Sequence, residues 1–145
     1  PIDYLRGKAD DVVRAEMANR YKGDVFLSLH LNSVGNRLSD ISGYEAWHYP
    51  ESMGGKRLAE SLLSAYEKEF PDRRSRGCRP STGEETRKAA NLIILRETSM
   101  WAVIFEIEFI NSLMNIDWII SNSEGIAAAL GCGIINYLTD IEWRK

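Results

Sequence analysis

The chain alternates between apolar stripes of period four and short continuous apolar runs. Ala9, Val13, Met17 and Tyr21 recur every fourth residue and predict one face of a helix, with Arg14, Arg20, Asp10, Asp11 and Glu16 largely elsewhere on it. Lys22-Gly23 supplies the stop, a glycine at the C-terminal cap. Residues 25–29 are too short and too continuously apolar for a half-exposed strand. They predict a buried central strand, parallel to its neighbours. Residues 34–42 are polar and turn-rich, a loop bordering the end of that strand. Residues 43–49 alternate with aromatic side chains as a second strand, and 50–55 form a loop.

A second stripe, Leu58, Leu62, Tyr66 and Phe70 with Ala59 and Leu63 beside it, predicts an amphipathic helix ended by Pro71. Residues 72–90 hold glycine, proline and many charges and predict a long surface loop, a feature usually functional or mobile in compact domains. Residues 92–95 and 102–110 read as strands and 114–120 as a short helix. Ser121 and Glu124 have capping-box spacing ahead of a final helix along Ile126, Leu130, Ile134 and Leu138. Helices alternating with short apolar strands place the chain in the α/β class.

Composition narrows the picture in a few places. At 145 residues, with 44% apolar and 27% charged residues, the chain is one domain able to bury a core. A net charge of −3 lacks the basic excess expected of a nucleic-acid binder. The cluster Arg73, Arg74, Arg76 and Arg79 is read as a solvated loop, with a local anionic partner as the alternative. Cys78 and Cys132 form no metal or redox pattern, and their separation along the chain does not say whether they pair. No stretch approaches the ~20 apolar residues of a membrane span. The chain begins at Pro1 without a methionine and is expected to be incomplete at its N-terminus.

Two places offer chemistry. Residues 24–33, Asp-Val-Phe-Leu-Ser-Leu-His-Leu-Asn-Ser, run an apolar strand into His30, in the crevice where α/β enzymes keep their ligands. A neutral imidazole there is either a zinc ligand or a satisfied structural group. In the run 103–110, strand periodicity puts Val103, Phe105, Ile107 and Phe109 on one face and Ile104, Glu106, Glu108 and Ile110 on the other. The two acids, ~7 Å apart by strand rise, are either exposed on an edge or hold a proton-relaying carboxylate in a cleft. His48, between Trp47 and Tyr49, is read as a packing residue. Metalloprotease helix, C-x-x-C, nucleophile-elbow and phosphate-loop motifs are missing from the sequence.

With these segments in order, the chain resembles the catalytic domain of zinc-dependent N-acetylmuramoyl-L-alanine amidases of the amidase-3 type. Arg14 with Ala18-Asn19 resembles the arginine and alanine-asparagine pair of the family's preceding helix. Residues 24–33 resemble the strand bearing its second zinc histidine, and Gly43-Tyr44-Glu45 its glycine-led strand. Arg76-Gly77 resembles the substrate-side loop, Leu95-Arg96 a later leucine-arginine, and residues 103–109 the strand of the catalytic glutamate. Residues 127–137 match the closing helix.

The resemblance implies a mixed, mostly parallel sheet flanked by helices (amidase-3-like, phosphorylase/hydrolase-like). His30 is then a Zn2+ ligand, Glu106 the general base, and Asn32, Arg76, Arg96 and Glu108 substrate-binding residues. It implies peptidoglycan or muropeptide as substrate, cleaved between N-acetylmuramic acid and L-alanine. It also implies action in the bacterial cell envelope, as an autolysin or a phage endolysin, with room for an additional cell-wall-binding domain.

The departures carry their own expectation. The family's first zinc histidine and its glutamate ligand lie on segments without a counterpart here, so His30 would lack both partners within this chain. Glu108 stands where the family usually has glycine, Asn111-Ser112 reverses a serine-asparagine order, and Trp101 replaces a proline-alanine approach. The alternative reading is therefore an inactive amidase-like domain that binds cell-wall fragments or a partner protein.

Overall fold

The first stripe folds as α1 (Asp10–Tyr21), and Lys22 closes it in a left-handed turn at φ 53°. A computed structural model of the chain describes residues 10–82 and 92–142. There β1 (Val25–Asn32) and β2 (Tyr44–His48) precede α2 (Met53–Glu69), β3 (Ser75–Pro80) and α3 (Ile93–Glu97). β4 (Trp101–Phe109), α4 (Leu113–Ser121) and α5 (Ser123–Glu142) complete the order. The sheet runs β1-β4-β2-β3, with β1 parallel to β4, β2 antiparallel to β4 and β3 parallel to β2. The mixed, mostly parallel sheet flanked by helices is therefore present.

The larger core lies between the sheet and α2 with α5. Leu58, Leu62 and Tyr66 of α2 meet Tyr44, Val103 and Phe105 of the sheet, all without exposed surface. Full burial of each such side chain contributes roughly 1.5–3 kcal/mol. Rings of Tyr66 and Tyr44 stand 4.6 Å apart and those of Tyr66 and Phe105 5.1 Å, spacings that favour tilted aromatic contacts. On the other face a smaller cluster joins Ile94 and Leu95 of α3 to Trp47, Ala102 and Ile104. Asn19 fastens α1 beside it, donating from Nδ2 to Glu97 O at 2.8 Å and accepting the Ser99 N–H at 2.7 Å.

Five expectations are corrected. β1 is parallel to its neighbour as expected, but among the described residues it is the edge strand rather than a central one, with Leu29 and Leu31 about half exposed. Residues 92–95 are helical, not extended: the Leu95 and Arg96 N–H groups both donate to Leu92 O. A four-residue apolar run does not distinguish the two states. Within the expected long loop, residues 75–80 form β3, a strand whose pairing with β2 outweighs its polar composition. Residues 83–90 of that loop lie outside the described residues. α2 begins earlier than the stripe implies because Ser52 caps it, accepting the Gly55 N–H at 3.0 Å. Ser121 ends α4 instead of capping α5; Asn122 joins the two helices, which meet at 69°. No single helix among the described residues is long and apolar enough to cross a membrane.

Two register shifts interrupt the sheet. Between β1 and β4, His30 pairs Glu106 but Asn32 pairs Phe109, so β4 carries one extra residue. Between β2 and β3, Tyr44 pairs Ser75 but Ala46 pairs Cys78, so β3 carries one extra residue as well. Such bulges re-aim the side chains beyond them. The β3 bulge contains Gly77 at φ 86°, a left-handed conformation that an L side chain adopts at a cost. A Cβ there meets nothing within 4 Å. Gly77→Ala is therefore expected to lose about 1–2 kcal/mol of stability from backbone strain alone. Urea unfolding checks this, and an unchanged midpoint would contradict the strained turn.

Candidate active site

On the sheet face away from α2 and α5, past the small α3 cluster, a cleft of about 420 Å³ opens at the end of β1. Its polar wall is a row across three strands. His30 on β1 is the register partner of Glu106 on β4, and Glu106 is in turn the partner of Glu45 on β2. Trp47, Ile104 and Phe109 form the apolar wall.

His30 and Ser28, two residues apart on one face of β1, share a hydrogen bond of 2.9 Å through the ring Nε2. One ring nitrogen is thus engaged within the strand. Burial lowers the His30 pKa, the nearby Arg14 charge lowers it further, and Asp11 opposes them. The net effect favours the neutral imidazole.

The β4 bulge corrects the expected placement of Glu108. Glu106 and Phe109 both line the cleft, whereas Glu108, only 1% exposed, turns away from it. Glu108 Oε1 accepts the Gly43 N–H at 2.6 Å and the Phe109 N–H at 2.9 Å, while Oε2 pairs with Arg73. A carboxylate so enclosed has no opening toward substrate. Arg96 also stands apart from the cleft, exposed on α3 with Nε donating to Glu97 at 2.8 Å. Asn32 and Arg76 do line it.

The β3 bulge has the complementary effect. It points Cys78 into the main core and leaves Arg76 and Arg79 on the same side, both within reach of Glu45. Burial pushes the Cys78 thiol up to about 11, and both cysteines are free, with Cys132 exposed on α5. The four-arginine cluster is therefore not one solvated loop. Arg73 and Arg76 are about a fifth exposed and Arg79 somewhat more, each in an ion pair.

Glu45, which sequence reasoning placed only in a strand, is the hub of the cleft. Its side chain is 5% exposed, accepting Asn32 Nδ2 at 2.8 Å on Oε1 and facing Arg76 Nε at 3.0 Å on Oε2. An acid inside the otherwise mostly apolar run Tyr44-Glu45-Ala46-Trp47 was the available signal. Asn111 and Asn115 were missed as well. Asn111 accepts the Val34 N–H and donates to Gly35 O and Arg37 O, which fixes the loop bordering the cleft. Asn115 donates to Ile41 O and Phe109 O.

The donor set does not by itself complete a zinc centre. Among the described residues no group of three or more His, Cys, Asp or Glu side chains is placed to hold a metal ion. Glu45 is committed to two guanidinium groups and Glu108 is buried elsewhere, so His30 is the one imidazole the cleft supplies.

The sequence pattern of the N-acetylmuramoyl-L-alanine amidase family matches residues 6–136. A sporulation-specific N-acetylmuramoyl-L-alanine amidase of Bacillus subtilis (strain 168) is 30% identical over 100 residues, covering 69% of this chain and 34% of that protein. An N-acetylmuramoyl-L-alanine amidase from Clostridium difficile 630 superposes with a TM-score of 0.77 at 27% identity, over 90% of this chain and 66% of that one. One from Nostoc punctiforme does so with a TM-score of 0.72 at 28% identity, over 88% and 64%. The chain thus spans about a third of the curated relative and just under two thirds of these structures. With sequence pattern and fold in agreement, the chain belongs to the N-acetylmuramoyl-L-alanine amidase family.

Proposed function

We propose that this cleft hydrolyses the amide bond between N-acetylmuramic acid and the L-alanine of peptidoglycan, in the bacterial cell envelope or as part of a phage lysin. The observation that supports this most is the direct register pairing of His30 with Glu106 at the mouth of the cleft. Zinc, when bound, would act as a Lewis acid on the amide carbonyl and make water a better nucleophile. His30 would be one of its ligands, and the remaining protein donors would come from beyond the described residues.

Glu106 does the proton work. Its carboxylate takes a proton from the attacking water and delivers it to the nitrogen of the departing L-alanine, so that the amine leaves neutral. Ser28 fixes the His30 ring, and Asn32 and the Glu45–Arg76 pair shape the wall along which the substrate lies. Trp47 and Phe109 exclude water from the same wall.

The test uses purified peptidoglycan and the full-length protein. Release of peptides with a free L-alanine amino terminus is expected with zinc, falling to background after chelation and returning when zinc is restored. Release that persists unchanged through exhaustive chelation would sink the metal-assisted mechanism. Tight binding of muropeptides without any release would favour the inactive-relative reading instead.

A further inference from the structure

Glu45 carries one negative charge inside the cleft wall, yet two guanidinium groups converge on its Oε2, Arg76 Nε at 3.0 Å and Arg79 Nε at 3.1 Å. Its Oε1 is occupied by Asn32 at 2.8 Å. Both oxygens of the carboxylate are thus engaged. Arg76 is attached through Nε alone, and its two terminal amino groups are not committed to any partner among the described residues. Its guanidinium lies 5.1 Å over the Phe109 ring, which fixes the plane of the fork. The side chain is 22% exposed and lines the cleft. A pre-oriented arginine fork in a partly apolar wall suits a planar anion, above all a carboxylate bound by two parallel hydrogen bonds.

We propose that the Glu45–Arg76 pair is a carboxylate-recognition subsite that reads the peptide side of the substrate. This rests on the amidase reading for which side is meant. The scissile amide consumes the lactyl carboxyl of the sugar, which leaves the saccharide uncharged at that point. Carboxylates near the reaction therefore belong to the peptide. Glu45 and Glu106 are register partners on adjacent strands, about 5 Å apart at the backbone. The subsite consequently stands about one residue from the group that protonates the L-alanine nitrogen. It faces the residue next after L-alanine. Asn32 and Arg79 serve as positioning residues, holding Glu45 so that Glu45 can hold Arg76.

The experiment compares two muramoyl peptides identical except that the residue after L-alanine bears a free carboxylate or its carboxamide. With the zinc-loaded full-length protein, the acid is expected to be cleaved with kcat/KM roughly tenfold or more above the amide, the usual scale of a charged hydrogen bond. The difference should sit in KM, and Arg76→Met should bring the acid-to-amide ratio of kcat/KM to about one, with the larger rise in KM for the acid. Calorimetric binding of the two released peptides gives a readout independent of turnover, with the same preference expected. Equal kcat/KM and equal affinity for acid and amide would overturn the subsite while leaving the amidase reading intact. Preferential binding of the acid peptide without cleavage of either substrate would keep the subsite and remove the amidase reading.

Discussion

Replacing Glu106 by glutamine is expected to lower kcat for muramoyl-amide hydrolysis by roughly 10²–10⁴-fold, the range of a positioned general base. Glutamine keeps the length and shape of the side chain but has no basic carboxylate oxygen to accept a proton. Glu106 sits in the middle of β4 between two paired strands, with Ile104 and Phe105 packed on opposite faces just before it. The exchange therefore leaves the strand ladder in place, and the variant should unfold at nearly the parental urea concentration. KM should move little, because Asn32 and Arg76 remain to hold the substrate. Retained turnover at the parental level would remove Glu106 from the mechanism. A large fall in stability would instead mean that the loss of activity reports folding.

The elements whose signals are local were legible in the sequence: the stripe of α2, the apolar run of β4 and the strand entering His30. Motif order singled out His30 and Glu106 separately, and the register of β1 with β4 sets them side by side. What escaped was everything decided by pairing between distant segments. Strict alternation placed Glu106 and Glu108 on one face, and one extra residue in β4 reversed that for Glu108. The same event in β3 brought Arg76 and Arg79 to Glu45, converting a run of charges into a cleft wall. A bulge is a property of two strands in register, and a single strand carries little trace of it beyond a glycine such as Gly77. Arg96 lies outside the lining of the cleft for a different reason. Its run of apolar residues closed into a helical turn against Trp47 and Ala102, leaving the arginine outward.

Arg73→Ala is expected to cost about 3–5 kcal/mol of stability, the scale for leaving one partner of a buried ion pair uncompensated. Glu108 is 1% exposed, and Arg73 is the cation paired with it. Arg73 also donates to Asn115 at 3.2 Å and lies 4.3 Å over the Trp118 ring, so its loss disturbs the start of α4. The Glu108 carboxylate would keep the Gly43 and Phe109 N–H groups but lose its charge partner in a buried setting. Glu108→Gln should cost less, since an amide oxygen can still accept from Gly43 and the charge left unpaired is that of the more exposed Arg73. Arg73→Ala combined with Glu108→Gln should accordingly be more stable than Arg73→Ala alone, a non-additivity that urea unfolding of the four proteins measures. An Arg73→Ala loss below about 1 kcal/mol, typical of an exposed pair, would show that Glu108 is not held as a buried carboxylate. The consequence reaches the cleft through Gly43. That residue has φ 120° and no room for a Cβ, which would meet Arg74 O at 2.7 Å, and its N–H is held by Glu108 immediately before β2. Releasing it frees the strand that carries Glu45. Arg73→Ala should therefore weaken substrate binding even at temperatures where the chain remains folded, although neither Arg73 nor Glu108 lines the cleft.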